Sequence, residues 1–133
     1  MALGLGPIHH IAVLVEDLAA AEAFYAGVLG FRIDRRWQEP DGSARSVWLG
    51  IGNDAILMLE KAEPGNSRRA DAGGGWHLLA FSIRAEDRPR IESELSRKRI
   101  AIDSRTDYTL YIRDPEGNRV GLSHYPHPVP QRP

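Results

Sequence analysis

Residues 9–18 read HHIAVLVEDL, and residues 77–83, HLLAFSI, repeat the first seven of them at an offset of 68 residues. In the first copy Ile11, Val13 and Val15 fall on one face of a strand and His10, Ala12 and Leu14 on the other, so both faces look covered. Asp17 then caps a helix whose stripe is Leu18, Ala21, Phe24, Tyr25, Val28 and Leu29, and Gly30 supplies the left-handed stop. Strands are predicted over 31–38, 45–51 and 55–61, the last two joined through Gly52 and Asn53. After the second copy, Asp87 with Pro89 opens a helix bearing Ile91 and Leu95, supported by a Glu94 to Lys98 pair. Strands near 100–103, 106–113 and 118–125 complete this half, and the turn DPEG (114–117) closes its last hairpin.

The chain is therefore two tandem βαβββ modules, about 7–61 and about 77–125, within one 133-residue domain of α+β class. Residues 62–76 lack periodicity and are rich in Gly, Pro and charge, which marks a linker, and residues 126–133 form a proline-rich tail. Neither module carries enough apolar helix to cover both faces of four strands, so the free faces should enclose a cavity or meet a partner chain. A homodimer is expected on that ground.

Composition narrows the function. The net charge is −1 although 15 of 17 basic residues are arginine, so nucleic acid and anionic membrane are not expected as partners. Cysteine is absent, which removes disulfides, thiolate metal sites and cysteine nucleophiles. With no membrane-length apolar run and no secretory pattern in MALGLGP, the expected location is cytoplasmic and the expected partner a small organic molecule.

HHIAVLVEDL followed by AEAFYAGVLGFRI, the restart at HLLAFSI, and YIRDPEGNRV near the end together resemble the vicinal oxygen chelate superfamily of glyoxalase I, extradiol dioxygenases, methylmalonyl-CoA epimerase and bleomycin-resistance proteins. The resemblance spans about residues 7–125 and implies a cavity-forming fold that hosts several chemistries and also pure binders. In the metal-dependent members it implies one divalent ion held on the first and last strands of each module. His10 matches the first ligand. Met58, Leu78 and Gly121 stand at the other three positions and supply no hard donor. A tight divalent site needs about three or more protein donors, so no metal and no cofactor are expected. Gly121 should leave space without a donor.

A shifted site of His10, Glu60 and His77 holding one divalent ion such as Zn, Ni, Mn or Fe is the alternative, although strand parity points His77 away from the Leu78 face. His124, out of phase with Gly121, and His127 read as exposed or edge histidines.

Strand phase nominates His10, Leu14, Met58, Glu60, Leu78, Ser82, Tyr111, Arg119, Gly121 and Ser123 as ligand-binding residues, with Tyr111 brought beside Gly121 by hairpin pairing. Trp37, Trp48 and Trp76 offer stacking surfaces that core packing would equally explain, and Arg68 and Arg69 could clamp an anion. The leading function is a metal-free binder of resistance, sequestration or carrier type. The alternatives are a metal-dependent glyoxalase-like lyase, isomerase or extradiol dioxygenase, and acid–base catalysis by His10 with Glu60 or Tyr111.

Overall fold

The computed structural model describes residues 2–65 and 73–131. They fall in two compact units, Met1–Ser67 and Arg68–Pro133, each built on one four-stranded sheet.

The first unit runs β1 (His10–Val15), α1 (Leu18–Glu22), a π-helical segment (Ala23–Val28), β2 (Arg32–Gln38), β3 (Ala44–Gly50) and β4 (Ile56–Lys61). Its strand order is β1-β4-β3-β2, with β1 parallel to β4 and the remaining pairs antiparallel. The second unit runs β5 (Leu79–Ser82), a 3-10 turn (Ala85–Asp87), α2 (Arg88–Arg97), β6 (Ser104–Arg105), β7 (Thr109–Arg113) and β8 (Arg119–Ser123). Its order is β5-β8-β7-β6, again with the outer pair β5 and β8 parallel. The sequence repeat is thus a repeat of topology, and the fold is α+β.

Asp17 caps α1 as its position suggests, accepting a hydrogen bond from the Ala20 N–H at 3.0 Å. The helix does not continue regularly. The Leu29 N–H bonds the Phe24 carbonyl five residues back, at 2.9 Å, and this widened turn lets the consecutive Phe24 and Tyr25 both bury. Gly30 follows with φ +84°, where a side chain would be strained. The core of this unit is Val15, Leu18, Ala21, Phe24 and Tyr25 with Val47, Leu49, Leu57 and Leu59 from β3 and β4.

Several expectations are corrected. β1 is covered on one face only: His10, Ala12 and Leu14 are exposed, Leu14 by 70%. β5 begins at Leu79 rather than His77, and the strand expected at 100–103 is replaced by the two-residue β6. Asp87 does open α2 from its N-cap position with Pro89 in the first turn, without a side-chain capping bond, because it sits in helical conformation at the end of a 3-10 turn. Glu94 pairs with Arg97 at 2.8 Å, one position before the predicted Lys98.

The DPEG turn forms as read. Buried Asp114 accepts hydrogen bonds from the Glu116 and Asn118 N–H groups and from Asn118 Nδ2, at 2.9, 2.8 and 3.0 Å, and Gly117 takes φ +83°. This charge-assisted clamp sets the β7–β8 register. No helix among the described residues is long and apolar enough to cross a membrane.

Candidate functional site on the open sheet faces

In each sheet one face carries the core and the alternate face is more open. On the first sheet the open face presents rows set by register: Ala12 beside Met58 beside Trp48, and Leu14 beside Glu60 beside Ser46. A bulge alters the third strand. Trp37 pairs with Ser46 and Gln38 with Ala44, so Arg45 is the extra residue and is re-aimed toward this face. The result is a depression of about 180 Å³ lined by Trp37, Arg45, Ser46, Trp48 and Glu60. The two indoles lie 5.4 Å apart at 60°, and the Arg35 guanidinium sits 4.9 Å from the Trp37 ring. The Trp48 Nε1–H is buried with no acceptor among the described residues. Two aromatic walls, a carboxylate, a guanidinium and an unused donor suit a small molecule with a flat part and polar substituents.

The open face of the second sheet aligns Ala80, Gly121 and Tyr111 in one row and Ser82, Ser123 and Thr109 in the next, with Arg119 beside Arg113. The hairpin therefore places Tyr111 against Gly121 as its sequence phase implies. Thr109 Oγ1 donates to Ser123 Oγ at 2.9 Å. Arg119 lies 5.2 Å from the Tyr111 ring and donates through Nη1 to His77 Nε2 at 3.2 Å. Its Nε–H is buried and has no partner among the described residues. His77 thus reaches the Arg119 side, contrary to the parity argument, because it precedes the strand and is not bound by its alternation. Thr109 and Ser123 satisfy one another, and among the described residues no carboxylate pairs with Arg119. Arg113, by contrast, is matched by Asp103 at 3.3 Å.

Gly121 is not an empty position. A Cβ placed there would meet Ala80 Cβ and Leu78 Cδ1 at 3.2 Å each and Thr109 Cγ2 at 3.5 Å. Leu78 and Ala80 have filled the room that a larger side chain would need, which corrects the expectation of vacant space. The donor set offered at the four family positions is one imidazole, one thioether, one leucine and one glycine. These residues do not fit a divalent ion.

The shifted set fares no better within the first unit. His10 pairs with Ile56 and Leu14 with Glu60, so His10 and Glu60 stand four positions apart along the β1/β4 pair. At about 3.3 Å per residue this is about 13 Å, too far for the two side chains to share one ion or one proton. The two side chains share a face of the β1/β4 pair but not a height along it. Among the described residues no three His, Cys, Asp or Glu side chains cluster for a metal. His10 instead lies 2.9 Å from His9, Nδ1 to Nδ1, and both are exposed.

The sequence reading overlooked Arg45, for which no local signal exists because the bulge depends on the pairing of β2 with β3. Trp37 and Trp48 do form a surface pair, while Trp76 is 99% exposed. Arg68 and Arg69 lie outside the described residues. His124 is buried, not an edge group: its Nδ1 donates to the His127 carbonyl at 2.5 Å and its Nε2 accepts from Arg88 at 3.1 Å. A second depression, lined by Glu92, Ser96, Ile100, Ile102 and Arg105, offers no free charge, since Arg105 and Glu92 pair at 3.0 Å.

The model of the Glyoxalase/Bleomycin resistance protein/Dioxygenase superfamily matches residues 7–122. The uncharacterised protein YaeR of Escherichia coli is 35% identical over 86 residues, 61% of this chain and 64% of that protein. The mitochondrial methylmalonyl-CoA epimerase of Bos taurus is 32% identical over 79 residues, 56% of this chain and 45% of that protein. The chain thus spans about half to two thirds of these relatives' length. Among solved structures, a glyoxalase/dioxygenase from Nostoc punctiforme superposes with TM-score 0.73 at 24% identity, covering 96% of this chain and 97% of that one. The fosfomycin resistance protein FosX of Listeria monocytogenes superposes with TM-score 0.67 at 15% identity, covering 93% of each. At these identities the superpositions establish the fold alone.

Proposed function

The chain belongs to the Glyoxalase/Bleomycin resistance protein/Dioxygenase superfamily, and from that premise we propose that it binds a small organic molecule on its open sheet faces without holding a metal ion at the family positions. Sequestration or carriage, as in the resistance branch of the superfamily, is the role this reading assigns. The observation that carries it is the packing at Gly121, where Leu78 and Ala80 occupy the space a metal-binding side chain would take. Support comes from two buried donors that have no partner among the described residues, Trp48 Nε1 and Arg119 Nε, one on the open face of each sheet. Buried donors of this kind are satisfied when a ligand or an ordered water supplies an acceptor.

The test has two arms. Protein purified without chelators should contain well under one divalent ion per chain, and panels of phenols, aromatic acids and thiol conjugates should raise its melting temperature. Recovery of about one tightly held ion per chain, lost on His10→Ala, would overturn the reading. So would metal-dependent turnover of methylmalonyl-CoA, the substrate named by the epimerase relatives. We also propose that the protein works as a homodimer; a monomeric mass in light scattering at micromolar concentration would refute that part alone.

A further inference from the structure

Among the described residues, the groups that hold Arg119 are an aromatic ring and an imidazole. Tyr111 supports the guanidinium from below at 5.2 Å, within the range of a cation–π contact. His77 accepts one N–H at 3.2 Å, and because a guanidinium can only donate, His77 must present the lone pair of Nε2 and carry its proton on Nδ1. Among the described residues, seven of the eleven other arginines are matched by acids: Arg32 with Asp34, Arg36 with Glu22, Arg84 with Glu86, Arg90 with Asp87, Arg97 with Glu94, Arg105 with Glu92 and Arg113 with Asp103. No carboxylate among the described residues pairs with Arg119. Its orientation is fixed while, among the described residues, its charge is left unneutralised and its Nε–H has no acceptor. A planar fork that is pre-set but uncompensated is suited to an oxyanion, because little side-chain entropy remains to be lost on binding.

We propose that Arg119, braced by Tyr111 and His77, receives an anionic oxygen group of the bound molecule, a carboxylate or a phosphate ester. The proposal rests on reading the chain as a small-molecule binder and adds that the ligand is anionic. Ala80 and the backbone at Gly121, next to Arg119 on the same face, leave a flat apolar floor on which the uncharged remainder of the ligand can lie.

The experiment titrates 15N-labelled protein with benzoate, phenyl phosphate, inorganic phosphate and neutral benzyl alcohol, following the Arg119 Nε–H resonance, with calorimetry in parallel. Benzoate or phenyl phosphate should shift that resonance saturably, and whichever binds tighter identifies the oxyanion. Arg119→Gln should weaken both by about tenfold or more, and Arg119→Lys, which keeps the charge and the fold but loses the fork, by an intermediate factor. Arg105→Gln, removing an arginine already paired with Glu92, should leave both within about twofold. Equal affinity in Arg119→Gln, an equal loss in Arg105→Gln, or no saturable response to any anion overturns the proposal. If benzyl alcohol and benzoate bind alike and both ignore Arg119, the binder reading stands and the anionic ligand falls. If inorganic phosphate titrates Arg119 and no organic probe exceeds it, the anion site stands and the binder reading falls.

Discussion

Exchanging one methyl between Ala80 and Gly121 tests whether the space at Gly121 is truly taken. Gly121→Ala has three consequences. Replacing glycine in extended backbone removes about 0.5–1 kcal/mol of unfolded-state entropy, and burying one methyl adds about 0.8 kcal/mol in favour of folding. Against this stand two carbon contacts at 3.2 Å, inside the optimum of about 3.5–4.0 Å, and overpacking of this kind costs about 1–3 kcal/mol. Leu78 Cδ1 can rotate away. Ala80 Cβ is fixed to β5, which is paired to β8 directly opposite Gly121, so relief there requires strand movement. The expected net change is a loss of about 0–1 kcal/mol, or up to roughly 4 °C in melting temperature. Ala80→Gly alone should cost about 0.5–1 kcal/mol, since Ala80 is exposed and loses mainly glycine entropy. In the double variant the methyl has crossed the strand pair and the 3.2 Å contact with Ala80 is gone, so the two changes should couple favourably by about 1 kcal/mol. Urea denaturation of the four proteins measures this cycle. Additivity within about 0.3–0.5 kcal/mol, or stabilisation by Gly121→Ala of more than about 1 kcal/mol, would refute the reasoning and restore an open cavity at this position.

Three further outcomes are expected. His124→Ala removes two hydrogen bonds from a side chain that is 3% exposed and should cost about 2–3 kcal/mol, with faster amide exchange over 124–131 and none over 10–15; a cost below about 0.5 kcal/mol contradicts it. Trp48→Phe removes a buried N–H that has no acceptor among the described residues, so relief of about 1–3 kcal/mol should offset most of the lost ring area; a loss above about 3 kcal/mol in urea melts means the indole is bonded after all. The Ser43 hydroxyl bonded to Asp41, and then the Ser43 N–H, hold the Asp41 carboxyl below its ordinary value of 3.8. Because the folded value is depressed, any stabilisation is present above the unfolded value and fades as pH falls through the folded one. Carbon-detected titration should find Asp41 more acidic than in Ser43→Ala, and identical midpoints would rule the interaction out.

How much the sequence could say follows from what alternation encodes. Period-two patterning specifies the face of each residue, so the pairing of Tyr111 with Gly121 and the shared face of Met58 and Glu60 were readable before any coordinates. Alternation carries no information on height along a neighbouring strand, and that is why His10 and Glu60 could be grouped in one site although β1 and β4 pair them four positions apart. Nor does it reach past a strand's end, which is where His77 escaped its predicted side and joined Arg119. Arg45 depends on a mismatch between two strands, and buried His124 on Arg88, 36 residues earlier in the chain. Gly121 shows the same division most sharply. That position 121 lacks a side chain is a fact of sequence, whereas whether the resulting space is open is decided by the neighbours, and protein interiors close such gaps wherever a flexible apolar group is within reach. Leu78 is that group here. A donor lost from a metal site in this fold is therefore not restored by reinstating one residue: a carboxylate at 121 would first have to displace Leu78.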